Sequence, residues 1–521
     1  MTWKTRVLAA ALVIGAAPAL AQTTLRIVPH ADLSTLDPIQ TTARITVNHG
    51  NMIFDTLYAW DEELNVRPQM VGESKRSPDG LGLTMTLRPG LRFHDGSPVR
   101  SADVVASVKR WMVRDVAGRK LAEFTGEIKA VDDHTIAIIL KQPAGWVEFA
   151  LGASAGTIPI IMREKEAATD PARGVTEMVG SGPFKFVASE WKPGSRVVYV
   201  KNTDYVPRTE APSGLSGGKV VKIDRAEWHV IPDPATAVNA LIQGEVDLLD
   251  TTPNDFIPQL SRNKDIVVRP IDKGGYGALR PNFLHPPFNN EKARQAVAML
   301  FDQKDFLRAS VGNDEKWWRT CHAYFFCGTP FGTEAGSEPY RTPNKERAKQ
   351  LLAEAGYKGE KIVILAPTSS QAINSLAEVA AGQLRSIGVN VDLQGMEWNA
   401  LLARRSKKDP PEQGGWHIAP TTISNGLVFH PLINFASDTA CGGRNWPGWP
   451  CDEEAEKLKV AFLAAVDPAE QKRLAEALHK RLWEFLPYWL TGQFQSPYAW
   501  RANVQGVVNA SVIVFWNITK S

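Results

Sequence analysis

The segment from residue 362 to 393 restricts the fold most. Ile362 to Leu365 is a continuous apolar run, Leu376, Val379, Ala380, Leu384 and Ile387 follow at helical spacing, and after Gly388 the residues Val389, Val391 and Leu393 alternate with polar ones. This order predicts a strand, a helix and a second strand. A strand without polar alternation is apolar on both faces, which places it in a parallel sheet covered on each side. The chain is therefore expected to be α/β.

Other segments carry their own signals. Leu83, Met85 and Leu87 alternate with polar residues before the turn Pro89-Gly90, and Ile136, Ile138 and Leu140 alternate after Asp132-Asp133. Between them, Ser101 and Asp103 open a helix whose apolar side is Val104, Val105, Val108, Trp111 and Met112. Ala348, Leu351, Leu352 and Ala355 fall on one helical face before Gly356, a C-cap residue. Asp467, Pro468 and Glu470 resemble a capping box ahead of Leu474, Leu478, Leu482 and Phe485.

The first residues read as an export signal. Lys4 and Arg6 precede an apolar run from Val7 to Ala17, and Ala19 and Ala21 bracket Leu20 before Gln22, so cleavage is expected after residue 21. Gln22 offers no thiol for a lipid anchor. The reading is a freely diffusing protein of a Gram-negative periplasm. Of the formal charge of +3, two cations leave with the signal, and the remaining +1 is far from the basic footprint of a nucleic-acid binder. The chain has 521 residues, more than one core usually supports, yet no low-complexity linker divides it. Discontinuous domains, with the chain crossing between them more than once, fit this best.

In an oxidising compartment the four cysteines, Cys321 with Cys327 and Cys441 with Cys451, are expected as two disulfides. A zinc reading has only His322 nearby and no CxxC. The only catalytic signature is Gly152-Ala153-Ser154-Ala155-Gly156, a GxSxG pattern, but Thr157-Ile158-Pro159 follows where a nucleophile elbow needs a helix. There is no HExxH, no GxxxxGK[ST] and no GxGxxG after a strand. No metal site, cofactor or catalytic residue is expected.

Ordered motifs then run through most of the chain: Leu36-Asp37-Pro38, Phe54-Asp55-Thr56-Leu57-Tyr58, Arg67-Pro68-Gln69-Met70, and the block from Leu87-Arg88-Pro89-Gly90 to Asp95-Gly96-Ser97-Pro98 leading into Ala102-Asp103-Val104. Gly180-Ser181-Gly182-Pro183-Phe184, Asn202-Thr203-Asp204-Tyr205, Gly244-Glu245-Val246-Asp247, Pro287-Phe288, Ala293-Arg294-Gln295-Ala296 and Leu352-Ala353-Glu354-Ala355-Gly356-Tyr357 continue the series. In this order they resemble the extracytoplasmic solute-binding proteins of family 5, with dipeptide-, oligopeptide-, nickel- and haem-binding members. Most of the motif residues read as scaffold: Pro89-Gly90 and Asp95-Gly96 are turn chemistry, and Arg294 is expected in an ion pair or at a helix cap.

The resemblance implies a two-lobed periplasmic-binding-protein fold of the large, peptide-binding type, with mixed sheets. Lobe I would comprise 22–58, 176–275 and 491–521, with an inserted subdomain at 59–175, and lobe II would comprise 276–490. Gly274, Gly275 and Gly277 would form the first hinge crossing, and the second would lie near Thr491-Gly492. Function would be capture of a peptide or peptide-like solute between closing lobes, as a monomer that hands its ligand to an ABC permease and ATPase complex. In peptide-binding relatives a lobe II loop starting with a Trp-Gly-like pair carries an aspartate for the peptide's ammonium group. The corresponding stretch from Gly415 to Gly426 contains no acid. A blocked peptide, an opine-like conjugate or another neutral or anionic molecule is then an alternative, unless Asp409, Glu412 or a lobe I acid substitutes. Expected ligand contacts are Trp416, His417, Thr421, Thr422 and Asn425, with Trp398 as a stacking wall. His417 would also be the residue for nickel or haem iron. A serine hydrolase using Ser154 and a chaperone-like binder are the remaining classes.

Overall fold

The computed structural model describes residues 22–368, 370–442 and 446–521; the expected signal segment lies outside them. Strands gather into two large sheets. The first has seven strands in the order Ile266–Arg269, Tyr498–Arg501, Leu248–Leu249, Thr24–Val28, Arg225–His229, Arg196–Lys201 and Phe184–Phe186. Its central strand Thr24–Val28 runs parallel to Arg225–His229 and Leu248–Leu249. The second has six strands in the order Trp318–Arg319, Trp489–Phe494, Gly275–Pro281, Ile418–Ser424, Ile362–Pro367 and Val391–Met396. A smaller antiparallel sheet, Val71–Arg76, Gly82–Leu87, Thr135–Leu140 and Thr125–Ala130, interrupts the chain between strands of the first.

The strand–helix–strand unit forms as the apolar pattern requires. Ile362–Pro367 is buried throughout and pairs in parallel with Val391–Met396, and the helix Gln371–Ser386 connects them. The helix Ser101–Arg114 begins where the Asp103 carboxylate accepts the Arg100 backbone N–H at 2.8 Å, and its Trp111 is fully buried. The helix Pro468–Phe485 starts on Asp467, which accepts the Glu470 N–H. At its other end Arg294 donates to the carbonyl of Phe485 and to that of Phe288, both at 2.9 Å. Arg294 is thus a helix cap and not half of an ion pair. Gly180 is required by a close approach, since a Cβ there would sit 1.7 Å from the Ile53 carbonyl oxygen.

Both disulfides form, Cys321 to Cys327 and Cys441 to Cys451. With their sulfurs bonded to each other, neither pair offers thiolates to zinc.

The chain passes from the first sheet to the second between Arg269 and Gly275 and returns between Phe494 and Tyr498. The return differs from the expectation. Thr491 and Gly492 lie inside the strand Trp489–Phe494, bonded to Gly275–Pro281, because apolar Trp489 and Leu490 hold that strand in the second sheet. Gly275 and Gly277 are likewise strand residues, leaving Gly274 alone in the crossing.

Candidate functional site between the sheets

The two crossings lie against each other. Gly274 has φ +81°, and a Cβ on it would meet the Phe494 carbonyl oxygen at 1.9 Å. Its own carbonyl accepts the Asn425 N–H at 2.9 Å, while its N–H donates to Asp272 at 2.8 Å. Glycine is needed here for the left-handed backbone and for the space. Gly277 is needed only for space, as its Cβ would fall 2.1 Å from Thr491 Oγ1.

A cavity opens on each side of this seam. One, of about 240 Å3, is polar and bounded by Asp61, Arg269, Asp272, Lys273, Asn425 and Asn509. The other, of about 110 Å3, is bounded by Asn254, Gly277, Leu376, Thr422, Thr491 and Gln495. The first takes Arg269 from the first sheet and Asn425 from just beyond the strand Ile418–Ser424, and the second takes Gly277, Thr422 and Thr491 from the second sheet with Asn254 from the segment after Leu248–Leu249.

The floor on the first-sheet side is a partly buried polar network at the carboxyl ends of parallel strands, where open α/β sheets present their binding crevice. His30 follows Thr24–Val28 and Asp250 follows Leu248–Leu249. Asp250 is paired with His30 Nδ1 at 2.5 Å and accepts from Arg44 Nη2 at 3.1 Å, and Arg44 also donates to the Tyr498 hydroxyl. Burial alone would raise the Asp250 carboxyl, but Arg44 and His30 more than offset it and hold it below the usual carboxylate range. At neighbouring Asp272 burial wins, and its carboxyl is raised. Arg44 Nε, Asn48 Oδ1 and Asp32 Oδ1 are buried without a partner, so the floor has both donors and acceptors to spare. Sequence reading missed this network. Its members lie far apart in the chain, and only Asp250, three residues beyond the Gly-Glu-Val-Asp turn, sits near a recognised motif.

The expected ligand residues separate into two groups. The stretch read as a loop is largely the strand Ile418–Ser424, fourth in the second sheet. Thr422 and Asn425 face the cavities, and Asn425 Nδ2 is buried without a partner. Thr421 is buried, its hydroxyl donating to the Thr422 carbonyl at 3.3 Å. Trp416 is fully buried, donates from Nε1 to the Arg405 carbonyl at 3.0 Å and packs on Trp449. It is a core residue and not a ligand wall. Trp398, at the start of the helix Trp398–Arg405, packs half-buried against the same cluster. His417 accepts the Val363 N–H on Nδ1 at 2.9 Å, and its Nε2 lies 3.1 Å from the Pro286 carbonyl. Burial pushes the His417 imidazole down to about 4. With both nitrogens engaged in the protein, it has none for nickel or haem iron. Ser154 Oγ lies 2.7 Å from Ser511 Oγ and has no histidine partner among the described residues.

With this geometry the comparisons agree. The profile described as "Bacterial extracellular solute-binding proteins, family 5 Middle" matches residues 65–427. The chain belongs to that family. A probable peptide ABC transporter periplasmic-binding protein of Sinorhizobium fredii is 38% identical over 495 residues, covering 94% of this chain and 92% of the relative. The oligopeptide-binding protein AppA of Bacillus subtilis is 25% identical, covering 84% and 80%. Among solved structures, AgaA in complex with agropinic acid superposes with a TM-score of 0.76 at 22% identity, covering 96% of this chain and 99% of AgaA. DppA of Helicobacter pylori in complex with the peptide STSA gives 0.75 at 22% identity, covering 96% and 98%. The fold is the two-lobed α/β fold of these solute-binding proteins. The described residues include no helix long and apolar enough to cross a membrane.

Proposed function

We propose that this chain is the periplasmic ligand-capturing subunit of an ABC importer, taking a peptide or peptide-like solute between its lobes and delivering it to a membrane permease and ATPase complex. The supporting observation is the seam: two mixed sheets joined through adjacent crossings, with a polar floor and cavities bounded by the crossings themselves. The name of the Sinorhizobium relative points the same way. Lobe I would comprise 22–273 and 495–521, including the small sheet, and lobe II would comprise 274–494. Thr422, Asn425, Arg44 and Asp272 are the ligand contacts we assign, with Gly274 as the hinge. The protein works as a monomer exported by its N-terminal segment, and no bond is made or broken. A non-peptide acid is the second reading, favoured by the absence of any acid in the strand Ile418–Ser424.

The test is the melting temperature of the mature protein, stripped by partial unfolding and refolding, against di- and tripeptides, N-acetylated peptides and amino-acid conjugates. A rise that grows with ligand concentration, as linkage requires, supports capture. Turnover of ester substrates that disappears in Ser154→Ala, with no shift from any solute, overturns it.

A further inference from the structure

With the lobes divided as proposed, they meet not only at the crossings. Residues 143–149, which follow the small-sheet strand Thr135–Leu140, also lie against lobe II. A Cβ on Gly145 would fall 2.1 Å from the Ala465 carbonyl oxygen, 2.5 Å from Gln471 Nε2 and 3.0 Å from Val466 Cα. These atoms belong to the turn between the helices Glu453–Ala464 and Pro468–Phe485 and to the start of the second helix. Gly145 does not have a left-handed backbone. Its own chain would therefore accept a side chain, and the demand for glycine comes from the space lobe II occupies.

Four residues on, Phe149 stacks on His430 with ring centres 3.8 Å apart and planes within 13° of parallel. Phe429 packs edge-on against Trp60 at 4.8 Å and against Phe149 at 5.5 Å. None of the four residues is more than 7% exposed. Each half of this contact is held by its own lobe. Phe149 stacks on Trp60 at 5.0 Å, and Trp60 Nε1 donates to the Phe149 carbonyl at 3.3 Å. His430 lies edge-on to Phe331 at 5.1 Å and to Phe462 at 5.2 Å, and its Nδ1 accepts the Leu432 N–H at 3.1 Å. Neither half needs the other for its position, which is how an interface between separable bodies is built.

We propose that residues 143–149 are a latch: as the lobes close, Gly145 seats against the 465–466 turn and Phe149 against His430. None of the ligand contacts assigned to Thr422, Asn425, Arg44 and Asp272 belongs to it. The latch extends the capture reading from the groups that meet the solute to those that hold the lobes around it. Parting the lobes exposes the aromatic faces, so the contact stabilises the closed form whatever the solute. Apparent affinity then scales with the fraction of protein able to close.

The experiment measures the distance between spin labels at Lys109→Cys on the helix Ser101–Arg114 and Lys472→Cys on the helix Pro468–Phe485, both exposed positions. The four native cysteines are in disulfides, so only the engineered ones take the label. The mature chain is measured alone and with the solute that raises its melting temperature most. A short-distance component that grows with solute is expected. Gly145→Ala and Phe149→Ala should each shrink it, weaken binding roughly tenfold and act mainly on the dissociation rate. His430→Ala makes the same cut from lobe II should Phe149→Ala fold poorly. Distances unchanged in variants that melt near the parent overturn the latch whatever happens to affinity, as does a parent showing only the long distance in every condition. If no solute binds, capture fails, and the latch stands or falls on whether the variants lose the short component of the solute-free chain.

Discussion

Replacing Trp416 separates a core role from a ligand-binding one. The side chain is fully buried against Trp449 and within a cluster containing Val363, Leu365 and Leu401, and its indole N–H is bonded to Arg405. Truncation to alanine leaves a large cavity and an orphaned carbonyl, a loss of about 3–5 kcal/mol. In a lobe of roughly 200 residues each kcal/mol moves the midpoint by about 2–4 °C, so Trp416→Ala should melt about 6–20 °C lower. Trp416→Phe, which keeps most of the volume and loses the hydrogen bond, should cost about 1 kcal/mol for the bond, with a further packing loss. Scanning fluorimetry and titration with the best solute on the same samples read both quantities. A variant that melts like the parent but no longer binds solute would refute the core assignment.

Three other outcomes follow from the packing. Cys441→Ser with Cys451→Ser opens a loop of sequence separation 10 and should cost about 2–3 kcal/mol by urea denaturation; an unchanged midpoint contradicts this. Gly277→Ala drives a methyl into Thr491 and should destabilise by about 1–3 kcal/mol, whereas Gly277→Ala with Thr491→Gly should recover part of the loss. Burial pushes His49 and His430 down to about 3 and His417 to about 4. Their folded values lie below the unfolded value of about 6.5, so the stabilisation is complete above that pH and is lost as pH falls from about 6.5 toward 4. Urea midpoints measured from pH 7.5 to 4.5 should fall throughout that window, and a flat profile would contradict the burial of these rings as neutral species.

Secondary structure was legible wherever one residue set answered to one period. The parallel unit at 362–396, the helix from Ser101 and the helix from Pro468 all follow from apolar spacing and a local cap. The site was less legible because its determinants are not local. Trp416 and His417 have the composition of a binding wall, and only the backbone bonds of His417 to Asn282 and Val363 and the packing of Trp416 on Trp449 show that they belong to a core. The network of His30, Arg44, Asp250 and Tyr498 is assembled by sheet topology from four distant segments, and no spacing in the sequence marks it. The return crossing was misread for a related reason. A glycine at 492 resembles a hinge, but the space it leaves is filled by Leu307, 2.4 Å from where its Cβ would be.

Closure around a solute is the central claim, and small-angle scattering of the mature chain tests it most directly. With and without a saturating amount of the solute that raises the melting temperature most, the radius of gyration should decrease as the lobes come together about Gly274. An unchanged scattering profile at demonstrated saturation would contradict capture by closing lobes.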